Sequence, residues 1–345
     1  MTGKGDRVGK VVCFGELLLR LGTPGRETLL QSPALHVHVG GAEANVAVSL
    51  ARFGHAAHMV GVVADNPLGE AAVGELRRQG VDTAAVQRLP GRMGLYFLTT
   101  GAIHRPSQVL YDRAASAFAL AGGGRHDWAA LLAGADWLHV SGVTPALGAD
   151  AARGTLAAMR AARAAGVKVS FDGNYRPQLW QAWDGDAPAL LRGLMAEADA
   201  MFASHRDIEV VLGRAFDGDT AQERFAAAAQ SAFVAFPDLQ WMAATVRVQR
   251  SVDHHALSAV MLRREGRLQG TPEYEIPGIV DRIGTGDAFA AGVLHGVLTD
   301  RTDAEALHFG LAAGCLKHSL PGDFSTLDAA EVEGFLAQAG FDVRR

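Results

Sequence analysis

Apolar runs of strand length alternate with amphipathic helical stretches along almost the whole chain. Residues 11–19 read as an apolar strand, and residues 42–53 as a helix with Val46, Leu50 and Phe53 on one face. A second strand follows at 58–63, then a helix over 68–79 that Gly80 ends as a natural C′ residue. Further strands are predicted at 137–140, 167–171, 200–203 and 242–246. Helices are predicted at 149–164, 187–196, 221–229, 288–298, 303–318 and 329–337. Such alternation predicts an α/β fold, a mostly parallel sheet with helices on both faces.

One region breaks the rhythm. From about 91 to 115 helix signals vanish and β-formers dominate, Leu95-Tyr96-Phe97-Leu98-Thr99-Thr100 and then Val109-Leu110-Tyr111. Residues 35–39 are similarly extended, with His36 and His38 on one strand face. The reading is a single domain, 1–345, with a discontinuous β-sheet lid at about 20–40 and 91–116. An ordinary β-extension without a gating role is the plainer alternative.

Composition narrows the function classes. In 345 residues, 49% are apolar and 20% charged, enough for a sizeable core. The formal net charge of −5 with interspersed signs gives no footprint for nucleic acid. Only two cysteines occur, Cys13 and Cys315, each in an apolar context that suits buried free thiols in a reducing compartment. Residues 1–7 carry no apolar signal core, and the run from 11 to 21 is short and interrupted by Glu16 and Arg20. A cytoplasmic protein with no membrane partner is expected.

The densest chemistry is Gly284-Thr285-Gly286-Asp287, opening the apolar segment 288–294. Glycines before a helix bring backbone N–H groups close to an anion, and the helix end favours negative charge there. Asp287 would repel a resting phosphate, unless it faces a second reactant, a hydroxyl about to be phosphorylated. Asp281 stands just upstream, either fixing the loop or as a plain surface acid. The motif is not the dinucleotide fingerprint, since Phe289 stands where the third glycine would fall, and no Walker A loop occurs. Gly40-Gly41-Ala42-Glu43-Ala44-Asn45 is a second glycine-led helix start, and Asn45 suits a polyol. Asp172-Gly173-Asn174-Tyr175-Arg176-Pro177 follows a strand, where ligands gather in open α/β sheets. Arg176 and Arg113 are candidate anion clamps. The histidine pairs lack zinc-site spacing.

Both glycine-led motifs, in this order and far apart, resemble the two signatures of the PfkB (ribokinase-like) carbohydrate kinases. Residues 40–47 match the N-terminal signature and residues 281–289 the C-terminal one. The resemblance covers nearly the whole chain. It implies a three-layer α/β/α core with a β-sheet lid, ATP as donor and Mg²⁺ as helper. It also implies Asp287 as catalytic base and the amides of Gly284, Thr285, Gly286 and Asp287 as an anion hole. Within the family the chain most resembles bacterial 2-keto-3-deoxygluconate kinases, through residues 15–21, 171–180 and 316–324. By that likeness Gly41, Asn45, Tyr96, Tyr111, Arg113 and Arg176 would contact a sugar acid, whose C6 hydroxyl is presented to Asp287. Ser204, Asp207, Thr245, Arg247, Gly284, Gly286 and Lys317 would border ATP, with Asp207 acting on Mg²⁺ through water. Ser204 stands where these kinases usually carry Asn. A kinase for a neutral sugar and a non-catalytic sugar sensor of the same fold are the alternatives. Exposed lid edges make a lid-to-lid homo-oligomer plausible.

Overall fold

The first apolar run does not form one strand. In the computed structural model, which describes residues 7–122 and 124–337, β1 (Lys10–Phe14) and β2 (Leu18–Gly22) lie in different sheets. Residues 1–6 of the N-terminal reading lie outside the described residues. The chain leaves the first sheet at Gly15, where a Cβ would fall 2.1 Å from Oε2 of Glu43. Glu16 is buried at the crossing, and its carboxylate is satisfied by Arg113 and Ser116, nearly a hundred residues away.

Beyond β2 come β3 (His36–Gly40), α1 (Ala42–Arg52), β4 (Ala56–Ala64), α2 (Pro67–Arg78), β5 (Val86–Leu89), β6 (Leu95–Thr99) and β7 (Gln108–Asp112). Then follow α3 (Ala117–Ala121), α4 (Trp128–Leu132), β8 (Trp137–Ser141), α5 (Ala149–Ala164), β9 (Lys168–Asp172), α6 (Pro177–Gln181), α7 (Ala187–Met195) and β10 (Ala200–Phe202). The last part holds α8 (His205–Leu212), α9 (Ala221–Ala235), β11 (Trp241–Gln249), β12 (His254–Arg263), β13 (Gln269–Gly270), β14 (Tyr274–Pro277), α10 (Thr285–Leu298), α11 (Asp303–Lys317) and α12 (Ala329–Ala337).

The main sheet runs β13-β12-β11-β10-β9-β8-β1-β4-β5, with β14 also on β12. From β11 to β5 every pairing is parallel, and the strands around β12 pair antiparallel. A separate sheet, β3-β2-β6-β7, stands apart. The architecture is the expected ribokinase-like α/β fold with a mostly parallel sheet and a small second sheet. Beyond the split first run, the sequence reading misses several short elements, α8 among them, and one long hairpin. β11 runs on to Gln249, and residues 254–263 form a further strand, almost wholly buried. The turn between them, Arg250-Ser251-Val252-Asp253, contains no glycine, so it hides the hairpin from a pattern search.

Among the described residues, no helix is long and apolar enough to cross a membrane. Among the same residues, no cluster of three His, Cys, Asp or Glu side chains is arranged to bind a metal directly. Cys13 and Cys315 are buried free thiols.

The helix that matters for the site is α10, apolar all round and buried on nearly every side. It packs on α11 through small residues: a Cβ on Gly296 would lie 2.4 Å from Cβ of Ala306. In an ordinary helix interior Gly→Ala stabilises by about 0.8–1 kcal/mol. Here the clash dominates, so Gly296→Ala should destabilise the protein by about 1–3 kcal/mol. Urea unfolding reads this directly; a gain in stability would contradict the close-packed α10–α11 seam.

Candidate active site

The first turns of α1 and α10 meet. Nδ2 of Asn45 donates to Oδ2 of Asp287 at 2.6 Å, and both side chains are buried. The carboxylate only accepts hydrogen bonds, which orients the amide and leaves Oδ1 of Asn45 as a buried acceptor without a partner. Among the described residues Asp287 makes no ion pair. Burial, then Asn45 acting in the opposite sense, and the nearby Glu43 set its pKa, which is pushed up to about 7.

Gly284 caps α10 with φ +77°, and a Cβ there would lie 2.0 Å from the carbonyl oxygen of Asp323. Only glycine fits that turn. The first intrahelical bond is Ala288 N–H to Gly284 O at 2.9 Å, so the N–H groups of Thr285, Gly286 and Asp287 are open at the helix end. The Thr285 hydroxyl closes the turn by donating to Arg282 O at 3.0 Å. A proton acceptor and an anion cradle therefore share one helical turn.

A buried ionic cluster holds this turn to the second sheet. Arg20 of β2 donates to Oδ2 of Asp281 at 2.6 Å, and its Nε lies 3.1 Å from Oδ1 of Asp323. Asp281 also accepts from the Ile283 amide (3.0 Å) and the Gly322 amide (3.0 Å), which fixes the loop leading to Gly284. Tyr96 of β6 donates to Oδ2 of Asp323 at 2.6 Å, so its hydroxyl faces this cluster. Lys317 joins from behind. It is fully buried, and its ammonium donates to the carbonyls of Leu320 (3.0 Å) and Gly322 (2.9 Å). Burial lowers its pKa to about 8. This differs from the expectation that Lys317 touches ATP: the ammonium is held by the 320–322 turn and offers no surface to a nucleotide.

The remaining sugar-side residues surround the pair. Gly41 caps α1, and a Cβ on it would lie 2.3 Å from the carbonyl oxygen of Glu16. Tyr111 lies with its ring 6.4 Å from that of Tyr96. Nε of Arg113 donates to Glu16 at 2.6 Å in a buried pair. That pairing differs from a free anion clamp, since only the two terminal nitrogens are left for a ligand. Arg176 is exposed at the end of β9, and its charge acts on both Asp287 and Asp172.

On the other side, Ser204 starts α8, and Oδ2 of Asp207 accepts from both its amide (2.8 Å) and its hydroxyl (2.7 Å). Asp207 thus caps a helix as well as facing the site. Asp172, at the end of β9, has its pKa raised well above the usual range by burial, then by Asp287 and Asp207. Thr245 is half-buried on β11, with Arg247 two residues further along.

The profile of the pfkB family carbohydrate kinases matches residues 8–329. The chain belongs to this family. It is therefore a phosphotransferase with an alcohol acceptor, and kinases of this family use ATP. The 2-dehydro-3-deoxygalactonokinase of Haloferax volcanii is 33% identical over 96% of this chain and 99% of its own length. The structure of 2-dehydro-3-deoxygluconokinase from Thermotoga maritima superposes with a TM-score of 0.88 at 38% identity, covering 96% of this chain and 99% of that one. A putative ribokinase II from E. coli, in complex with ATP and Mg²⁺, shares the fold alone, with a TM-score of 0.79 at 18% identity over 96% of this chain and 99% of that one.

Sequence reasoning gave no role in the site to Glu16, Arg20, Glu43 and Asp323. For the first three the signal was an acid or arginine within an otherwise apolar stretch, as with Glu43, whose carboxylate accepts from Ser141 and Thr144, whereas Asp323 lies in a loop.

The raised pKa of Asp287 has a consequence for stability. An unfolded Asp titrates near roughly 3.9, so between that value and neutrality the folded chain keeps a proton the unfolded chain has lost. The stabilisation is full at acid pH and is lost as pH rises through about 7. Asp287→Asn should therefore raise Tm at pH 8, with the gain shrinking toward pH 5. A lower Tm at pH 8 would mean that the carboxylate is not held against its charge.

Proposed function

We propose that this kinase transfers the γ-phosphoryl group of ATP to the C6 hydroxyl of 2-keto-3-deoxygluconate or a close sugar acid, with Asp287 as general base. One observation carries the reading: a buried carboxylate with no cationic partner stands in the same turn as open helix amides, beside the orphaned acceptor of Asn45. A polyol hydroxyl satisfies that acceptor, and the names of the two more similar relatives point to 2-keto-3-deoxy sugar acids.

The C6 oxygen forms its bond to the γ-phosphorus as the bond to the β–γ bridging oxygen breaks. The hydroxyl proton passes to Asp287, and ADP leaves. Charge on the moving phosphoryl group is met by the amides of Thr285, Gly286 and Asp287. Arg176, the terminal nitrogens of Arg113, and Tyr111 receive the sugar carboxylate, and Tyr96 braces Asp323 behind them. ATP lies along Ser204, Asp207, Thr245 and Arg247. The donor set fits Mg²⁺: Asp207, whose charge acts on Asp172, would hold it through water, since among the described residues no three acids converge closely enough to bind it directly. Bound there, the ion neutralises phosphate charge. The second sheet acts as a lid that excludes water, so the phosphoryl group is not lost to hydrolysis. Its exposed Leu30, Val37, Ile103 and Leu110 suit a lid-to-lid dimer.

Asp287→Asn should retain sugar binding but lose at least about a hundredfold in kcat, the lower end of general-base contributions. Near-normal turnover would end the proposal. In the parent enzyme kcat/KM should fall below about pH 7 as Asp287 takes up its proton.

A neutral sugar is the second reading, favoured by the pairing of Arg113 with Glu16. Arg176→Ala separates the two. A loss of about tenfold or more with the sugar acid and little with fructose supports a carboxylate clamp. Equal losses with both favour the neutral sugar. No ATP consumption with any sugar would leave a binding protein.

A further inference from the structure

Four arginines converge where the parallel strands end. Arg176 follows β9, Arg206 lies in the first turn of α8 directly after β10, and Arg247 lies on β11; these three strands are adjacent and parallel. Arg282 sits in the turn that leads into α10. Among the described residues none of the four makes an ion pair with an acid. Arg250, only three residues beyond Arg247, pairs with Glu273 and Glu275. The charges are close enough to feel one another. Arg247 is held below the ordinary guanidinium range by the protein packed around it and then by Arg282, Arg206 and Arg176.

A second feature adjoins them. In the β11–β12 ladder Gln249 pairs with His255 and Arg247 with Leu257, so Arg247 and His255 share one face of the sheet. His255 is fully buried, and neither ring nitrogen has a hydrogen-bond partner. Burial, then Arg247 and the neighbouring His318, keep the ring neutral, with a pKa of about 4. It therefore presents one donor and one acceptor without adding charge.

Like charges this close repel one another, and a polyanionic ligand would relieve that repulsion. Arg206, Arg247 and Arg282 together exceed what a single carboxylate or phosphate needs. We infer that Arg206, Arg247 and Arg282 form a clamp for a linear triphosphate, able to hold it in the absence of a divalent cation, while Arg176 beside them is left to the sugar. Arg206 and Arg282 have no other assignment in this site. The inference takes the donor ATP from the kinase reading, but the charge of the cluster does not depend on it.

The test is calorimetric titration of the full chain with inorganic tripolyphosphate, and separately with ATP, both in EDTA. The parent should bind one tripolyphosphate per chain, in competition with ATP, and orthophosphate far more weakly. Arg282→Gln should weaken tripolyphosphate by roughly tenfold, and Arg206→Gln with Arg282→Gln by more, as expected for charge-assisted contacts. Unchanged circular dichroism and Tm in both variants would show that folding is not the cause. Undetectable binding by the parent in EDTA, or equal affinity in the double variant, overturns the clamp. Binding that follows the arginines without sugar phosphorylation would keep the clamp and reject the kinase reading. Asp287-dependent turnover with arginine-independent triphosphate binding would do the reverse.

Discussion

A guanidinium group buried between two carboxylates decides how the two sheets meet. Arg20 belongs to the small sheet, whereas Asp281 and Asp323 flank the turn that caps α10. Breaking one partner of such a cluster would strand a buried charge, a cost of several kcal/mol, so its members are held together strongly even if their net contribution to stability is small. The consequence is geometric. The second sheet is tied to the loop that shapes the anion cradle, and Tyr96 adds a second tie through Asp323. Movement of that sheet and the shape of the cradle cannot be independent.

Acids buried around the site are treated in distinct ways. Glu16 is matched by Arg113, and Glu43 by the Ser141 and Thr144 hydroxyls and a backbone amide. Asp287 has one amide donor and no cation in contact, and burial then raises its pKa to about 7. A carboxylate tuned near neutrality accepts a proton far better than an ordinary surface aspartate would. The matched acids build the walls, and Asp287, held without a cation, is left reactive. Lys317 follows the first pattern, its ammonium capped by two carbonyls behind the cradle.

Much of this was legible before any coordinates. Gly284, Gly286 and Asp287 announced a helix start with an acceptor in its first turn, because backbone chemistry at helix ends is local. Asn45 lay in a second glycine-led start, and the strand–helix alternation predicted the sheet. The long-range partners were not legible. Arg113 read as a free clamp because its partner Glu16 is nearly a hundred residues earlier, and Lys317 read as a nucleotide contact because nothing local reveals a carbonyl turn that folds back over it. The hairpin from 241 to 263 was missed beyond residue 246 for want of a glycine turn, although six of the ten residues of its second strand are apolar.

By itself the sequence determined the periodic elements, the helix starts with their glycines, and the family signatures, since each depends on residues within a few positions of one another. Tertiary structure alone decided which charges are neutralised and which stand free, because that depends on partners brought together across up to 261 positions, as in Arg20 with Asp281. Desolvation acts only once the chain has closed around a group, so the reactivity of Asp287 belongs to the fold rather than to the tetrapeptide that contains it.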